Sequence, residues 1–257
     1  MGSDKYGSKT GKKWKKKLQS YDPMVRPVKV ADTVEVLYDE GRWALFRQLR
    51  QRAGDIMLAL SRRNIASIVH GSVARGDVDR SSDVDIFVQS VVRSYEVELA
   101  LGDAGFVPIE REIVVATPWQ LPKAHIYLDK NCSVTFPLTK PKRLEVEFYY
   151  FGGATDLRQV ERENRAAGVD KRLMLIEPIP RGHVESQVIG RESGVAKRIG
   201  VGQDIVRERV QVLTRRSDVG HTGVFIKRKL AKDEGFEAVM QQLLKENPEM
   251  KIRLRAK

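Results

Sequence analysis

The sequence predicts an α/β fold of the α+β kind, with a mixed β-sheet, helices on one face of it, and a basic, largely helical C-terminal region. Two observations predict this arrangement. Apolar residues recur at helical spacing in two stretches, 39–60 and 94–104, which indicates amphipathic helices. Between and after them lie short apolar or alternating runs of strand length, bounded by glycine, proline and asparagine. These runs span residues 65–69, 82–88, 106–116, 124–129, 132–138 and 143–151.

The predicted helices have limits that the sequence marks. The first begins after Asp39, and Gly54 is a point at which it splits or bends. The second ends at Gly105, because glycine just beyond the last apolar residue is typical of helix ends. A final amphipathic helix is expected over 236–244, ahead of Pro248.

Charge divides the 257-residue chain into three predicted domains. Residues 1–30, a basic flexible arm and linker, carry a net charge of +7. Residues 31–157, which hold most of the predicted strands, carry −3, and the basic region 158–257 carries +8. Basic ends favour a polyanionic partner such as RNA, because each phosphate that a cation neutralises releases counterions.

Composition favours a protein of the cytoplasm. Cys132 is the single cysteine, so no internal disulfide is expected, and it is interpreted as a small core residue. The four histidines are scattered and show no zinc-site spacing. No apolar run approaches the roughly 18 residues of a membrane span, and no secretory leader is recognised, so no membrane partner is expected.

The most informative segment is residues 70–88, in which a glycine turn leads into an alternating strand. Gly71 and Ser72 supply backbone amides and a hydroxyl of the kind that bind phosphate. In the strand, Asp83 and Asp85 point to the same face, because successive side chains alternate. Two neighbouring carboxylates repel each other unless a cation lies between them, and Mg²⁺ (or Mn²⁺) shared with substrate phosphates suits such a pair.

Gly71, Ser72, Asp83 and Asp85 together resemble the signature of the DNA polymerase β-like nucleotidyltransferase superfamily. The Ala-Arg-Gly at 74–76 resembles its minimal, template-independent, archaeal-type members. The resemblance implies a palm-like domain built on a mixed β-sheet. It also implies transfer of a nucleoside monophosphate from a nucleoside triphosphate, ATP or CTP, by a two-metal mechanism with Mg²⁺ or Mn²⁺.

The same resemblance assigns roles in nucleotide binding. Gly71 and Ser72 would hold the β- and γ-phosphates, and Arg75 would neutralise phosphate charge. An ordinary surface arginine is the alternative interpretation of Arg75.

The family also needs a third carboxylate from a later strand. The last alternating run places Glu145 and Glu147 on one face, and Glu147 aligns best with the family's third acid. Glu147 is therefore predicted to join Asp83 and Asp85 as a catalytic residue and metal ligand, with Glu145 and then Asp129 as alternatives. A glutamate adds a methylene where aspartate is commoner. The competing interpretation is that Glu145 and Glu147 line a solvated face.

The basic arm is a candidate nucleic-acid contact. It has no apolar periodicity, and an aromatic ring among cations can stack on an exposed base while lysines hold the phosphate backbone. The alternative is a solubilising tail. The arm residues predicted to bind nucleic acid are Lys12, Lys13, Trp14, Lys15 and Lys16.

A second nucleic-acid motif is predicted in the C-terminal region. Residues 194–213 have the pattern of a helix-turn-helix, which would leave Arg207 and Arg209 available to phosphate. Residues 214–229, rich in glycine and charge, predict a wing-like hairpin after it. Ordinary packing of two short helices produces the same pattern and is the alternative.

Three functional hypotheses follow. The first is a template-independent nucleotidyltransferase that acts on RNA, such as tRNA. The second is an RNA- or ribosome-binding protein (rRNA included) that keeps the fold with weak or no catalysis. The third is protein nucleotidylation by an antitoxin-type enzyme, although the added basic region of 100 residues argues against it.

Overall fold

The structure is a computed structural model that describes residues 33–220 and 223–255 of the chain. Its strands form two sheets, a larger one that carries the 70–88 segment and a smaller one assembled mostly from the C-terminal region. In chain order the strands are β1 (Val34–Leu37), β2 (Ser67–His70), β3 (Val84–Val88), β4 (Glu110–Val115), β5 (Lys123–Asp129), β6 (Cys132–Pro137), β7 (Ala154–Asp156), β8 (Gly168–Val169), β9 (Met174–Ile179), β10 (Gly182–Gln187) and β11 (Ile226–Lys229).

The order of the strands makes the larger sheet mixed. It runs β11–β4–β5–β6–β3–β2–β7, and the smaller sheet runs β1–β10–β9–β8. Neighbouring strands are antiparallel except for β3 and β6, which are parallel. The predicted α/β fold with a mixed sheet is therefore confirmed. The parallel pair also sets Asp85 of β3 directly beside Ser133 of β6.

Helices surround both sheets. The carboxylate of Asp39 caps the first of them by accepting the amide of Arg42 at 2.7 Å, and this helix runs uninterrupted through Gly54, so it is not split there. In chain order the helices are α1 (Glu40–Ser61), α2 (Ser72–Arg75), α3 (Ser94–Asp103), α4 (Arg143–Phe151), α5 (Leu157–Glu161), α6 (Glu192–Ile199), α7 (Gln203–Val219), α8 (Phe236–Glu246) and α9 (Lys251–Arg255), with a 3-10 turn, Pro248–Met250, ahead of α9.

The cores lie on both sides of the larger sheet. Helices α1, α3 and α8 pack on the face that carries Ile86. On the opposite face, Tyr149 of α4 stacks on Phe87 of β3 with ring centroids 3.6 Å apart. Strand β3 thus buries apolar side chains on both faces, and helices cover both faces of the sheet rather than the single face that was predicted. A second core joins α6 and α7 to the smaller sheet and buries Leu175 and Val206.

The segment Arg143–Phe151 is a helix, so the prediction of a strand there is wrong. The amide of Lys142 donates to the carboxylate of Glu145 at 2.7 Å, as in a capping box. One turn further, Arg143 pairs with Glu147 at 2.9 Å across an i,i+4 spacing. Over so few positions, alternating charged and apolar residues fit the period of a helix as well as that of a strand. The capping by Glu145 and the pair of Arg143 with Glu147 can form only in the helix, so they stabilise it.

The C-terminal region contains more strand than predicted. The wing-like hairpin is wrong, because α7 continues to Val219 and β11 instead extends the larger sheet, with Ile226 opposite Val115 of β4. Strand β1 pairs with β10 and completes the smaller sheet. Hydrogen-bonded strands therefore cross the predicted boundary between residues 157 and 158 in both sheets.

Candidate functional site

The glycine turn after β2 depends on two positions with positive φ. Gly71 has a φ of +76°, and its amide donates to the carbonyl of Gly153 at 2.9 Å. Gly76 ends α2 with a φ of +98°, and a Cβ added there would lie 2.5 Å from Cδ of Arg165. L-amino acids with side chains rarely adopt this backbone conformation, so glycine is needed at both positions. The turn is therefore shaped by its own residues and held against the end of α4.

Hydroxyl groups tie the turn to the loop that precedes β3. Ser72 Oγ lies 3.1 Å from Ser82 Oγ, and Ser82 Oγ accepts the amide of Asp79 at 2.9 Å. The hydroxyl of Ser81 donates to the carboxylate of Asp79 at 2.6 Å. Turn and loop thus bring hydroxyls and carboxylates into one shared space.

The two motif aspartates lie at the beginning of β3. Asp83 immediately precedes the strand and is exposed, whereas Asp85 is within it and half-buried. Two residues apart, they share a face of the extended chain. Ser133 on β6 lies opposite Asp85 and donates its hydroxyl to Asp85 Oδ1 at 2.8 Å. The position beside Asp85 on the parallel strand is therefore a serine and not a carboxylate.

His70 flanks the acidic edge from the other side. It lies opposite Asp85 across β2 and β3. Burial lowers the pKa of His70, while the negative charge of Asp85 opposes that shift. The imidazole packs edge-on against Tyr149 with ring centroids 4.8 Å apart. At neutral pH His70 therefore supports the edge without adding a charge to it.

Arg75 is occupied by protein partners. Its Nη1 donates to the carbonyl of Gly152 at 2.5 Å, and its Nη2 donates to the carboxylate of Asp77 at 2.8 Å. Both charged side chains are buried, with exposed fractions of 7% and 10%. The positive charge of Arg75 is therefore already compensated within the fold.

These groups form one side, the motif wall, of a cavity of about 450 Å³, a volume within the range of small-molecule sites. A second side, the far wall, comes from the end of α4, the loop after β8, and α7. The motif wall comprises His70, Gly71, Ser72, Arg75, Asp77, Asp79, Ser81, Ser82, Asp83 and Asp85. The far wall comprises Phe148, Phe151, Gly152, Val169, Asp170, Lys171, Arg172, Arg209 and Leu213.

The loop after β8 contributes two cations to the far wall, Lys171 and Arg172. Arg172 donates to Asp170 at 2.6 Å and to Glu185 of β10 at 2.5 Å. Like Arg75, it is thus neutralised by carboxylates of the protein itself.

Helix α7 contributes Arg209, which extends over the ring of Phe148 with 5.0 Å between the guanidinium carbon and the ring centroid. Burial lowers the pKa of Arg209 to about 10, and the positive charge of Arg216 adds to the effect. The guanidinium is still charged at neutral pH. An aromatic face under a guanidinium favours the cation and fixes its plane.

The cavity brings together most of the predicted motif residues. Gly71, Ser72, Arg75, Asp83 and Asp85 all line the motif wall. Of the described residues that are predicted to contact nucleic acid, only Arg209 lines this cavity.

Helices α6 and α7 follow the predicted pair of helices, separated by Gly200, which has a φ of +71°. Arg207 is exposed on α7, whereas Arg209 faces the cavity. Arg209 was expected on a nucleic-acid surface, and nothing local in the sequence connects it to the motif. The arm residues Lys12, Lys13, Trp14, Lys15 and Lys16 lie outside the described residues.

None of the three candidate third acids lines the cavity. Glu147 pairs with Arg143, and Glu145 accepts both Nη groups of Arg253, at 2.6 and 2.7 Å. Asp129 is exposed at the end of β5. Among the described residues, no group of three or more His, Cys, Asp or Glu side chains is placed to hold a metal ion. Glu147 was aligned with a strand position, and the helix places it away from the two aspartates.

The donor set nevertheless fits one divalent cation with its substrate. Magnesium is commonly bound through one or two carboxylates, with waters and substrate phosphates completing its octahedron. Asp83 and Asp85 supply such a pair at the cavity edge. The sequence alone did not reveal Ser133, which satisfies one oxygen of Asp85, because no sequence signal specifies which strand pairs with β3.

Comparison with protein families matches residues 51–132 to the model of a nucleotidyltransferase domain. The matched segment contains the complete turn and both motif aspartates and ends one residue before Ser133. Comparisons with curated proteins and with solved structures find no match. In the described part of the chain, no helix is both long and apolar enough to cross a membrane.

Proposed function

Residues 51–132 provide this chain with a nucleotidyltransferase domain, consistent with the polymerase β-like superfamily, and from this premise we propose that the cavity binds a nucleoside triphosphate with Mg²⁺ or Mn²⁺. The protein transfers the nucleoside monophosphate to a hydroxyl of an acceptor. One observation carries the proposal: the family's glycine turn and two aspartates open into a cavity whose far wall carries cations and aromatic rings.

The residues of the motif wall have distinct tasks in this proposal. Asp83 and Asp85 hold the divalent cation, which would stabilise charge on the phosphates when bound. The hydroxyl of Ser72 and the amides beside Gly71 face the phosphate oxygens. Phosphoryl chemistry of this kind depends on positioning and electrostatics, so it needs no protein nucleophile.

A second metal ion is supported less well than the first. The two-metal mechanism requires ligands that bridge two ions roughly 3.5–4 Å apart. The strand beside Asp85 offers Ser133 instead of a carboxylate. None of the three candidate third acids lines the cavity, and among the described residues no other acid forms a group of three with Asp83 and Asp85 that could hold a metal ion. We therefore propose that the two aspartates and the phosphates of the substrate hold the catalytic cation.

RNA is the proposed acceptor, with ATP or CTP as the proposed donor. The charge of the chain supports an anionic acceptor, because the first 30 residues carry +7 and residues 158–257 carry +8. Deleting residues 1–20 removes seven lysines. If the arm contacts RNA, the slope of log affinity against log salt becomes shallower by roughly 0.7 for each lost phosphate contact on a single strand. An unchanged slope would exclude the arm as a contact.

A binding protein with little chemistry is the second candidate, and Ser133 is the observation that favours it. With Ser133 beside Asp85, the strand that runs parallel to β3 supplies no third carboxylate of the kind that the family resemblance implies. Such a protein binds RNA or the ribosome and retains nucleotide affinity without turnover.

Transfer assays distinguish the two candidates. Wild-type protein is incubated with each radiolabelled nucleoside triphosphate, Mg²⁺ or Mn²⁺, and total RNA, tRNA or protein. Labelled RNA is the expected product, and Asp85→Asn should reduce labelling by more than about 100-fold, since even partners of metal ligands are commonly worth 10–100-fold.

Asp55→Asn is the matched control, because Asp55 is an exposed aspartate on α1 that accepts only from Gln51 of the same helix in the bonds described. It should label RNA as the wild type does. Labelled protein would redirect the proposal to protein nucleotidylation. Absence of label with all four nucleotides and both metals, with RNA affinity intact, would establish the binding protein instead.

A further inference from the structure

We infer that Arg209 of α7 binds the terminal phosphates of the nucleoside triphosphate, as the cation that the cavity keeps uncompensated for an anionic ligand. This inference rests on the proposed function. It concerns a residue outside the segment that matches the nucleotidyltransferase domain, residues 51–132.

The three arginines that line the cavity differ in whether a carboxylate of the protein pairs with them. Arg75 pairs with the buried Asp77, and Arg172 pairs with both Asp170 and Glu185. Among the described residues, Arg209 has no carboxylate within ion-pair distance. The positive charges of Arg75 and Arg172 are neutralised by these carboxylates, whereas Arg209 presents its positive charge to the cavity.

The side chain of Arg209 is half-buried, so its charge is partly removed from water. Nε of Arg209 is buried and has no hydrogen-bond partner among the described residues. Burial lowers the pKa of Arg209 most, the like charge of Arg216 adds to that shift, and the carboxylate of Glu208 opposes it without reaching ion-pair distance. Buried, unpaired charges are costly in folding, and groups of this kind concentrate in functional sites. Packing alone would be served as well by an apolar side chain of similar length.

The motif wall lacks an uncompensated cation for the phosphates of the ligand. The motif wall offers carboxylates for a cation and neutral donors, the hydroxyl of Ser72 and the amides beside Gly71, for phosphate oxygens. A nucleoside triphosphate carries more negative charge than one divalent cation offsets, and further charge develops on the leaving pyrophosphate. A guanidinium matches two phosphate oxygens at once, and Phe148 beneath it holds its plane. Arg209 is therefore suited to the terminal phosphates of the ligand.

Arg209→Met tests the inference by two effects of opposite sign. The variant should raise the melting temperature of the free protein by several degrees, because it replaces an unpaired, half-buried charge with an apolar chain. Inorganic tripolyphosphate in the presence of EDTA should raise the melting temperature of the wild type and not that of Arg209→Met. The dissociation constant of ATP or CTP with Mg²⁺ should increase at least tenfold in the same variant.

Two further variants separate the possible failures. Arg215→Met removes an exposed arginine from the same helix and should leave tripolyphosphate binding unchanged. Asp85→Asn should retain tripolyphosphate binding without metal while losing the response to Mg²⁺ and nucleotide. Arg209→Lys keeps the charge but loses the planar fork, so it should retain only part of the affinity.

The outcomes decide between distinct conclusions. If Arg209→Met lowers the melting temperature and leaves tripolyphosphate and nucleotide affinities unchanged, Arg209 serves only to pack on Phe148 and the inference is overturned. If tripolyphosphate binding depends on Arg209 but no nucleoside triphosphate binds the wild type, the anion site stands and the proposed function fails.

Discussion

The two walls of the cavity solve the problem of charge in different ways. On the motif wall the buried cation Arg75 is matched by Asp77 at 2.8 Å, so its positive charge is already neutralised before any ligand arrives. On the far wall Arg209 lies over an aromatic ring with no carboxylate partner among the described residues. The first arrangement stabilises the fold, whereas the second leaves affinity for an anion.

The comparison shows that an arginine in a motif is not automatically the one that binds phosphate. Arg75 belongs to the Ala-Arg-Gly segment and lines the cavity, yet its hydrogen bonds go to Asp77 and to the carbonyl of Gly152. It holds the turn against the end of α4. The freely available charge comes from a helix more than a hundred residues later in the chain.

Breaking the matched pair on the motif wall should have the largest effect. Asp77→Ala leaves Arg75 buried without its counter-charge, and loss of one partner of a buried pair typically costs about 3–5 kcal/mol. We expect a loss of this order in the free energy of unfolding measured with urea. Asp103→Ala is the control, because its pair with Arg63 is exposed at both ends, 62% and 39%, and should contribute less than about 1 kcal/mol. Equal losses in the two variants would remove the contrast between buried and exposed pairs.

The close backbone contact between Gly168 and Gly153, next to the far wall, should be next in magnitude. A Cβ on Gly168 would lie 2.3 Å from the amide nitrogen and 2.5 Å from Cα of Gly153, and neither backbone atom can move aside freely. Gly168→Ala should therefore destabilise the protein by about 1–3 kcal/mol, the usual cost of overpacking, and should weaken nucleotide binding by displacing the far wall. Chemical denaturation and nucleotide titration measure both effects.

Gly194→Ala is the control for backbone substitution. Gly194 lies within α6, and a Cβ there meets no heavy atom within 4 Å. Alanine is the better helix former by up to about 1 kcal/mol, so this variant should be slightly more stable than the wild type. A stable Gly168→Ala with normal nucleotide affinity would show that the close contact does not hold the far wall in place.

Acid should weaken the sheet that carries the motif wall. Burial lowers the pKa of His125 to about 3, with the charges of Lys123 and Lys227 adding to it, and burial also lowers the pKa of His70. Below pH 6.5, the approximate pKa of histidine in the unfolded chain, the unfolded chain binds protons at these imidazoles that the folded protein does not bind. The free energy of unfolding therefore falls as the pH is lowered. The limiting slope is about 1.4 kcal/mol per pH unit for each histidine.

Unfolding free energies between pH 6.5 and 5 measure this dependence, in a range above the ordinary pKa of most carboxyl groups. His125→Gln should reduce the slope by up to about 1.4 kcal/mol per pH unit, the contribution of one proton. The variant keeps a polar partner for the hydroxyl of Thr135, which lies 2.9 Å from Nδ1 of His125 in the wild type. Identical slopes for variant and wild type would mean that His125 is protonated in the folded protein.

The ion pair between Glu147 and Arg143 on α4 should be the least sensitive. Glu147→Gln breaks a pair with Arg143, whose side chain is 59% exposed, so the loss of stability should stay below about 1 kcal/mol. Nucleotidyl transfer should remain within about threefold of the wild type, because Glu147 does not line the cavity. A fall in transfer of more than about 100-fold at unchanged stability would establish Glu147 as the third acid after all.

Several features of this protein followed from the sequence because they depend on contiguous residues. Glycine at 71 and 76 permits positive φ, and strand alternation sets Asp83 and Asp85 on one face whatever surrounds them. The helical repeat of α1 and the runs that became β4, β5 and β6 follow from local periodicity in the same way. These features suffice for the mixed α/β fold and for the family of the matched segment, both confirmed.

The sequence could not predict the secondary structure of short segments whose pattern fits both a helix and a strand. Residues 143–151 alternate well enough for a strand, yet the capping by Glu145 and the anchoring of that carboxylate by Arg253, more than a hundred residues away, stabilise a helix. The tertiary fold therefore decided where Glu147 lies.

The completed cavity was likewise decided by tertiary structure alone. Nothing in the local sequence specifies that β6 runs beside β3 and sets Ser133 against Asp85, or that α7 turns Arg209 and not Arg207 toward the motif. Strand partners and helix facing are selected by burial of apolar surface across distant parts of the chain, a sum over many contacts that no single segment encodes. The sequence by itself determined the turn and the two carboxylates, and the packing of the C-terminal region determined which cation faces them.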